Sequence, residues 1–533
     1  MTLGTRANAL ERLAREPHWD LIVVGGGITG AGVLREAARL GLRVLLLEQR
    51  DYAWGTSSRS SKMVHGGLRY IAQGDFRLTR DALQERERLL REAPGLVERM
   101  GYTFPVRRGQ FPGRWTFSIL LALYDRFAGI DDHRWLSAAE AAALLPGLKT
   151  GRLKGACRYT DAVTDDARLV LRVLQDGVAD GGVVLNHAKV VSLVRDTADP
   201  QRPRVTGVVV QDMLSGRVFT AGADAVVSAT GAWADRLRSA LVAEKRVRPL
   251  RGSHLVVPHA RLPVREAMTL LHPRDRRPVF VFPWEGTTVI GTTDLDHPQD
   301  LDIEAAITRE EVEYLYDAIA SQFDGPRLTD ADVVSTWSGV RPVIAGDQAK
   351  DPSKERRDHA VWADGGLVTV SGGKLTTFRL IAHDALRAAA PFLGRALPAF
   401  ADRALAPTPA SPAADPARAR HEQGRYGAAL PAWRELLVAA NAGADAALAG
   451  TAYSPADILW SLRHEQVAHL DDLLLRRTRL GNLLPGGARD LLPSLRAVVQ
   501  QELGWDDARW NDEVARYLDI WQRHYSLPPA ATH

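Results

Sequence analysis

Three glycines, Gly25, Gly27 and Gly30, stand as GxGxxG inside DLIVVGGGITGAGVLREAARLGLRVLLLE, and Glu48 closes that stretch about 20 residues on. Residues of these types at this spacing grip a dinucleotide. The first glycine permits a tight turn, the second lets a pyrophosphate approach the backbone, and the third lets a helix pack closely on a strand. Ile28 and Thr29 then open the helix, whose free N–H groups face the phosphates. Glu48 is placed to accept hydrogen bonds from ribose hydroxyls. A lone GxGxxG also fits a ligand-free turn, but here strand, turn, helix, second strand and acid all stand in register. The fingerprint is common to FAD and NAD. Its single occurrence favours FAD, as does Ala229-Thr230-Gly231 at the end of the apolar run Ala225 to Ser228, where a second strand would meet the adenosine half.

The elements that must hold this site follow from periodicity. Asp20 to Glu48 reads as one βαβ unit, with Gly41 ending the helix. Short apolar runs return at Val183 to Leu185, Val205 to Val210, Ala225 to Ala229, Val279 to Phe282, Thr288 to Ile290 and Leu367 to Val370. Several alternate with polar residues or adjoin Gly and Pro, as antiparallel strands do. The expected fold is α/β (α+β overall): a doubly wound FAD-binding Rossmann-type domain, an inserted antiparallel-sheet substrate domain, and a C-terminal all-helical cap. We expect residues 1–90, 155–250 and 335–395 in the first and 91–154 and 251–334 in the second. A Pro- and Ala-rich linker is expected over 396–420, and helices over 421–533.

A chain of 533 residues, 25% charged and 45% apolar, has the composition of a folded globular protein. Its 68 Lys and Arg against 64 Asp and Glu leave a net +4, too small an excess to argue for nucleic acid. The single cysteine, Cys157, allows no internal disulfide and no CxxC metal site. Met1 to Asp20 lacks the apolar core of an export signal. The longest apolar stretch, Phe117 to Tyr124, is far too short to span a bilayer, so membrane contact must be peripheral. Arg107, Arg108, Arg114 and Trp115 precede it and make a basic, aromatic approach suited to anionic lipid. His464 to His469 has one residue too many for HExxH and no calcium loop is present, so no metal is expected.

The segment TSSRSSKMVHGGLRY (Thr56 to Tyr70) resembles the stretch after the first βαβ unit of FAD-dependent glycerol-3-phosphate dehydrogenases. The resemblance continues in order through YTDAVTDDARLVL (Tyr159 to Leu171), RGSHLVVP (Arg251 to Pro258), GTTD (Gly291 to Asp294), SGVRP (Ser338 to Pro342), RDH (Arg357 to His359), SGGKLTTFR (Ser371 to Arg379) and LRHEQVAHLDDLLLRRTRLG (Leu462 to Gly481). It implies oxidation of sn-glycerol 3-phosphate to dihydroxyacetone phosphate, with FAD as cofactor and a membrane quinone as acceptor. The implied place is the inner, cytoplasmic face of the membrane; a homodimer is left open. An oxygen-using oxidase, an amine or amino-acid oxidase on the same fold, and a non-catalytic flavin-binding protein are the alternatives.

Such chemistry needs a carbon–hydrogen bond held over the flavin, a base for the hydroxyl proton, and cations for the phosphate. Arg341 and His254 are the expected catalytic pair, the first an electrostatic clamp and the second a base or relay. Arg69, Tyr70, Arg357, Lys374 and Thr376 are the expected substrate ligands. The resemblance puts Thr56, Ser57, Ser58, Ser60, Ser61 and Lys62 beside the ribityl and pyrophosphate groups. It puts His65 and Gly66 along the flavin, Val190 at the adenine, and Gly373, Lys374, Leu375 and Thr376 at the pyrimidine edge.

Overall fold

The computed structural model describes residues 2–72, 74–196, 198, 204–344, 358–440 and 446–529. Two large sheets organise it. The strand His18–Val24 pairs in parallel with Val44–Leu47 on one side and Val218–Ser228 on the other. Val183–Leu185 and Leu367–Gly372 extend the parallel set at either end. Trp19, Leu21, Ile22 and Val23 are all buried, the continuous apolar strand expected where both faces of a parallel sheet are covered. Helices Ile28–Arg39, Asp166–Ala179 and Phe378–Ala389 cover one face. The antiparallel strands Ala188–Asp196 and Arg204–Asp212, with the N-terminal helix Arg6–Arg15, cover the other.

Among the described residues the second sheet has ten strands and is antiparallel except where Ala267–Leu271 meets Val97–Arg107. The strands Leu153–Thr164 and Ser335–Ile344 pair within it, with Val97–Arg107 and Val247–Pro258. The sequence boundaries at 155 and 335 give them mostly to the dinucleotide unit. Alternation reports a strand but not which sheet it joins, so the crossing points fall later than expected. Helices Ala138–Leu144 and Arg309–Gln322 pack on one face, and Arg114–Ala128 with the C-terminal helices on the other.

The C-terminal helices begin at Pro416, where the Asp415 carboxylate accepts from the Ala417 and Arg418 N–H groups. The Pro-rich stretch before them is docked rather than free. Arg35 and Arg39 donate to the Arg403 carbonyl, the Ala406 N–H donates to Asp176, and Leu405 is buried. Repeated Pro blocks regular structure without preventing packing.

Candidate active site

Because the first strands run parallel, Val24, Leu47 and Ser228 end together, and a cavity of about 460 Å³ opens beyond them. This is the crevice at strand C-termini where α/β sheets hold ligands. Gly25, at φ +110°, donates its N–H to the Leu47 carbonyl at 2.8 Å, and a Cβ there would lie 2.6 Å from the Ala229 carbonyl oxygen. At Gly30 a Cβ would come within 1.9 Å of the Gly25 carbonyl oxygen. Gly27 caps the helix without a side chain, and the Ile28 N–H donates instead to Ser57 Oγ at 3.0 Å. Glu48 accepts from the Gly26 and Arg50 N–H groups at 2.7 and 2.9 Å. Burial pushes its carboxyl above the ordinary range, against those two donors.

Of the residues expected to bind the cofactor, Gly25, Gly27, Ile28, Thr29, Glu48, Thr56, Ser57, Ser60, Val190, Ala229, Thr230, Gly231, Gly373, Lys374 and Leu375 line this cavity. A glycine-backed turn, a helix N-terminus and a carboxylate at one end, with a lysine at the other, fit FAD. Trp54 and Trp233 also line it, their rings 6.0 Å apart, and the Arg50 guanidinium lies 4.1 Å from the Trp54 ring. Sequence reading missed this aromatic wall; the tryptophan directly before Gly55-Thr56 was its only signal.

Several expected ligands do other work. Lys62 is buried away from the cavity, its ammonium 2.7 Å from Asp166 and lying over the Trp337 ring at 4.7 Å. Burial, then the Arg479 guanidinium, brings its pKa down to about 8 against the pull of Asp166. The Ser58 carbonyl accepts from Lys62 Nζ, and Ser61 Oγ faces His254 Nε2 at 2.9 Å. Thr376 is buried and clasps His65, accepting from its N–H and donating to its carbonyl, so it braces the loop. The Gly66 N–H donates to the Tyr124 hydroxyl, and Gly66 is likewise enclosed. Tyr70 is buried too, and Lys374 Nζ lies 3.8 Å from its ring while donating to the Gly66 carbonyl. Arg357 and the side chain of Arg69 lie outside the described residues.

Arg341 lies in the strand Ser335–Ile344, one residue before Pro342, which lines the cavity. Its Nη1 donates to Asp294 Oδ1 at 2.8 Å and its Nη2 to Thr292 Oγ1 at 2.9 Å. A Cβ at Gly252 would stand 2.3 Å from that Nη2, so the glycine makes room for the fork. Asp294 and Thr292, within the GTTD motif, set the angle of the arginine, a role the motif alone does not reveal. His254, in the strand Val247–Pro258, pairs opposite Gly291 and Trp337 and stacks on the Trp337 ring at 5.2 Å. Burial, followed by the Arg341 and Lys62 charges, holds its imidazole well below the ordinary range. It is therefore neutral at pH 7 and enclosed, outside the cavity lining.

The family model for FAD dependent oxidoreductases matches residues 20–384, and the model for the C-terminal domain of alpha-glycerophosphate oxidase matches 381–510. Glycerol-3-phosphate dehydrogenase 2 of Mycobacterium bovis is 37% identical over 544 residues, covering 96% of this chain and 89% of the relative. The aerobic glycerol-3-phosphate dehydrogenase of Staphylococcus aureus is 36% identical over 391 residues, covering 72% of this chain and 69% of its own. Among solved structures, the glycerol-3-phosphate dehydrogenase of Bacillus halodurans, complexed with FAD, superposes with a TM-score of 0.75 at 26% identity, covering 98% of both chains. Cavity, glycine turn and chain-long similarity agree: the chain is an FAD-dependent enzyme and belongs to the FAD-dependent glycerol-3-phosphate dehydrogenase family.

Proposed function

We propose that the enzyme oxidises sn-glycerol 3-phosphate to dihydroxyacetone phosphate and passes the electrons to a membrane quinone. The observation that carries the substrate reading is the preset fork of Arg341 next to the cavity lining, with Lys374 in that lining. Bound FAD supplies the two-electron acceptor. The chain's own residues do the rest. Lys374 attracts the phosphate. Arg341, already oriented, holds the C2 oxygen and stabilises charge as its proton leaves, without reorganising during the step. That proton passes through the Ser61 hydroxyl to the neutral, enclosed imidazole of His254, whose Nε2 it faces.

The acceptor reading rests on the helix Arg114–Ala128. Trp115 and Ile119 project from it, 76% and 73% exposed, beside Phe111 at 74%. Arg108, Arg114 and Arg126 are exposed along the same region, whereas Arg107 is engaged by Gln322 and the Lys149 carbonyl. No helix among the described residues is long and apolar enough to cross a membrane. Aromatic and aliphatic tips ringed by arginines suit the headgroup layer of an anionic bilayer, where a quinone is reached from the surface. Replacing Trp115 and Ile119 together by Ser should abolish sedimentation with anionic vesicles and leave turnover with a soluble dye within twofold. Peroxide released in step with substrate, with no quinone reduced, would favour the oxygen-using alternative.

A further inference from the structure

Three arginines of the C-terminal helical domain, Arg476, Arg477 and Arg479, are each at most 1% exposed and all reach into the dinucleotide half. They belong to the π-helical turn Asp472–Arg477 and its exit, where Arg479 takes a left-handed φ of 60°. Arg476 and Arg477 grip Asp51, three residues past Glu48, at 2.6 and 2.7 Å. Arg479 reaches further. Its Nε and Nη2 donate to Asp165, Nη2 also to Asp166 at 2.5 Å, and Nη1 to the Ser58 carbonyl at 3.1 Å. Asp166 in turn accepts from the Ser60 N–H and hydroxyl and from Lys62 Nζ.

The segment held in this way touches the site at three places. Ser57 receives the N–H of Ile28 at the dinucleotide helix, Thr56 donates to the Val340 carbonyl beside Arg341, and Ser61 meets His254. Burying so many charges does not by itself favour folding, because desolvation offsets the attraction; what a paired buried charge does supply is one allowed geometry.

We propose that Arg479 is a positioning residue for the cofactor: acting through Asp166 and the Ser58 carbonyl, it holds residues 56–62 in the form that receives FAD and aligns Ser61 with His254. The cofactor site is then completed by the C-terminal helical domain. One planar guanidinium serves Asp165, Asp166, Ser58 and Leu475 at once, a task the single ammonium of lysine does not meet.

The test uses the full chain stripped of FAD and titrated with it, so it is independent of the substrate and acceptor readings. Arg479→Lys and Arg479→Gln should each weaken FAD binding at least tenfold and speed amide hydrogen exchange over residues 56–62. Asp457→Asn, which loosens the same helical domain at a buried carboxylate bonded to Ser454, Tyr426 and Arg425 and to none of residues 56–62, should lower the thermal midpoint and leave FAD affinity within twofold. Wild-type FAD affinity in folded Arg479 variants overturns the proposal, and so does an equal loss in the Asp457 variant. If the Arg479 variants do not fold, exchange in the wild-type apoprotein decides. Segments 56–62 and 472–479 should lose protection together in urea, and fast exchange in the first while the second stays protected overturns the idea.

Discussion

The two ends of the cavity are made of different material. The dinucleotide end is backbone and absence: glycines where a Cβ has no room, N–H groups left open by a helix start, and one carboxylate on two amides. The other end, with the enclosed groups beside it, is side chain and charge: Lys374 over Tyr70 in the lining, and next to it Arg341 oriented by Asp294 and Thr292 and His254 kept neutral among buried neighbours. The first end fails by collision. The second fails by loss of orientation, so its defects should be graded.

The largest expected effect is at Gly30. Gly30→Ala places a Cβ in the Gly25 carbonyl, and because that obstacle is backbone it does not yield. The variant should purify colourless, with FAD affinity down more than a hundredfold. Retention of FAD would show that the two ends do not differ in kind.

Next comes Arg341→Ala, which removes the oriented charge proposed to hold the reacting oxygen. Loss of one such donor typically costs ~10²–10³ in rate. We expect kcat/KM to fall by that order while the flavin spectrum and FAD content stay unchanged. Asp294→Asn keeps the guanidinium and an acceptor oxygen but weakens what aims it, and should cost about tenfold, the low end of the about 1.5–3 kcal/mol that a hydrogen bond to a charged group contributes. An Asp294 variant as damaged as Arg341→Ala would mean that the aspartate has a direct role.

The smallest effect is in pH. On the proposed role of His254 as a neutral base, its folded value, held below the ordinary imidazole range, keeps activity full above that depressed value and loses it only as pH falls through it. The acid limb of flavin reduction should lie below about pH 6.5, the unperturbed imidazole value. Ser61→Ala, which removes the hydroxyl on Nε2, should slow reduction without moving FAD affinity. A limb above pH 7 would point to another base.

The same contrast explains what could be read from sequence. Gly25, Gly27, Gly30 and Glu48 lie within one βαβ unit, so their spacing carried their geometry; likewise the apolar runs located the strands. The burial of Lys62 went unread because Asp166, which pairs with it, and Arg479, whose charge crowds it, lie more than a hundred residues away, and a charge run gives no sign of what it will be buried against. The clasp of Thr376 on the His65 backbone was hidden for the same reason. Sheet membership of Leu153–Thr164 and Ser335–Ile344 was hidden because pairing across such distances leaves no mark in either strand alone.

The most direct measurement adds sn-glycerol 3-phosphate, under argon, to the purified FAD-loaded enzyme and follows the visible absorbance band of the oxidised flavin. Bleaching in proportion to the phosphate ester, with dihydroxyacetone phosphate formed in equal amount and none from unphosphorylated glycerol, is the predicted result. A band that persists, or that bleaches equally with glycerol, would contradict the account.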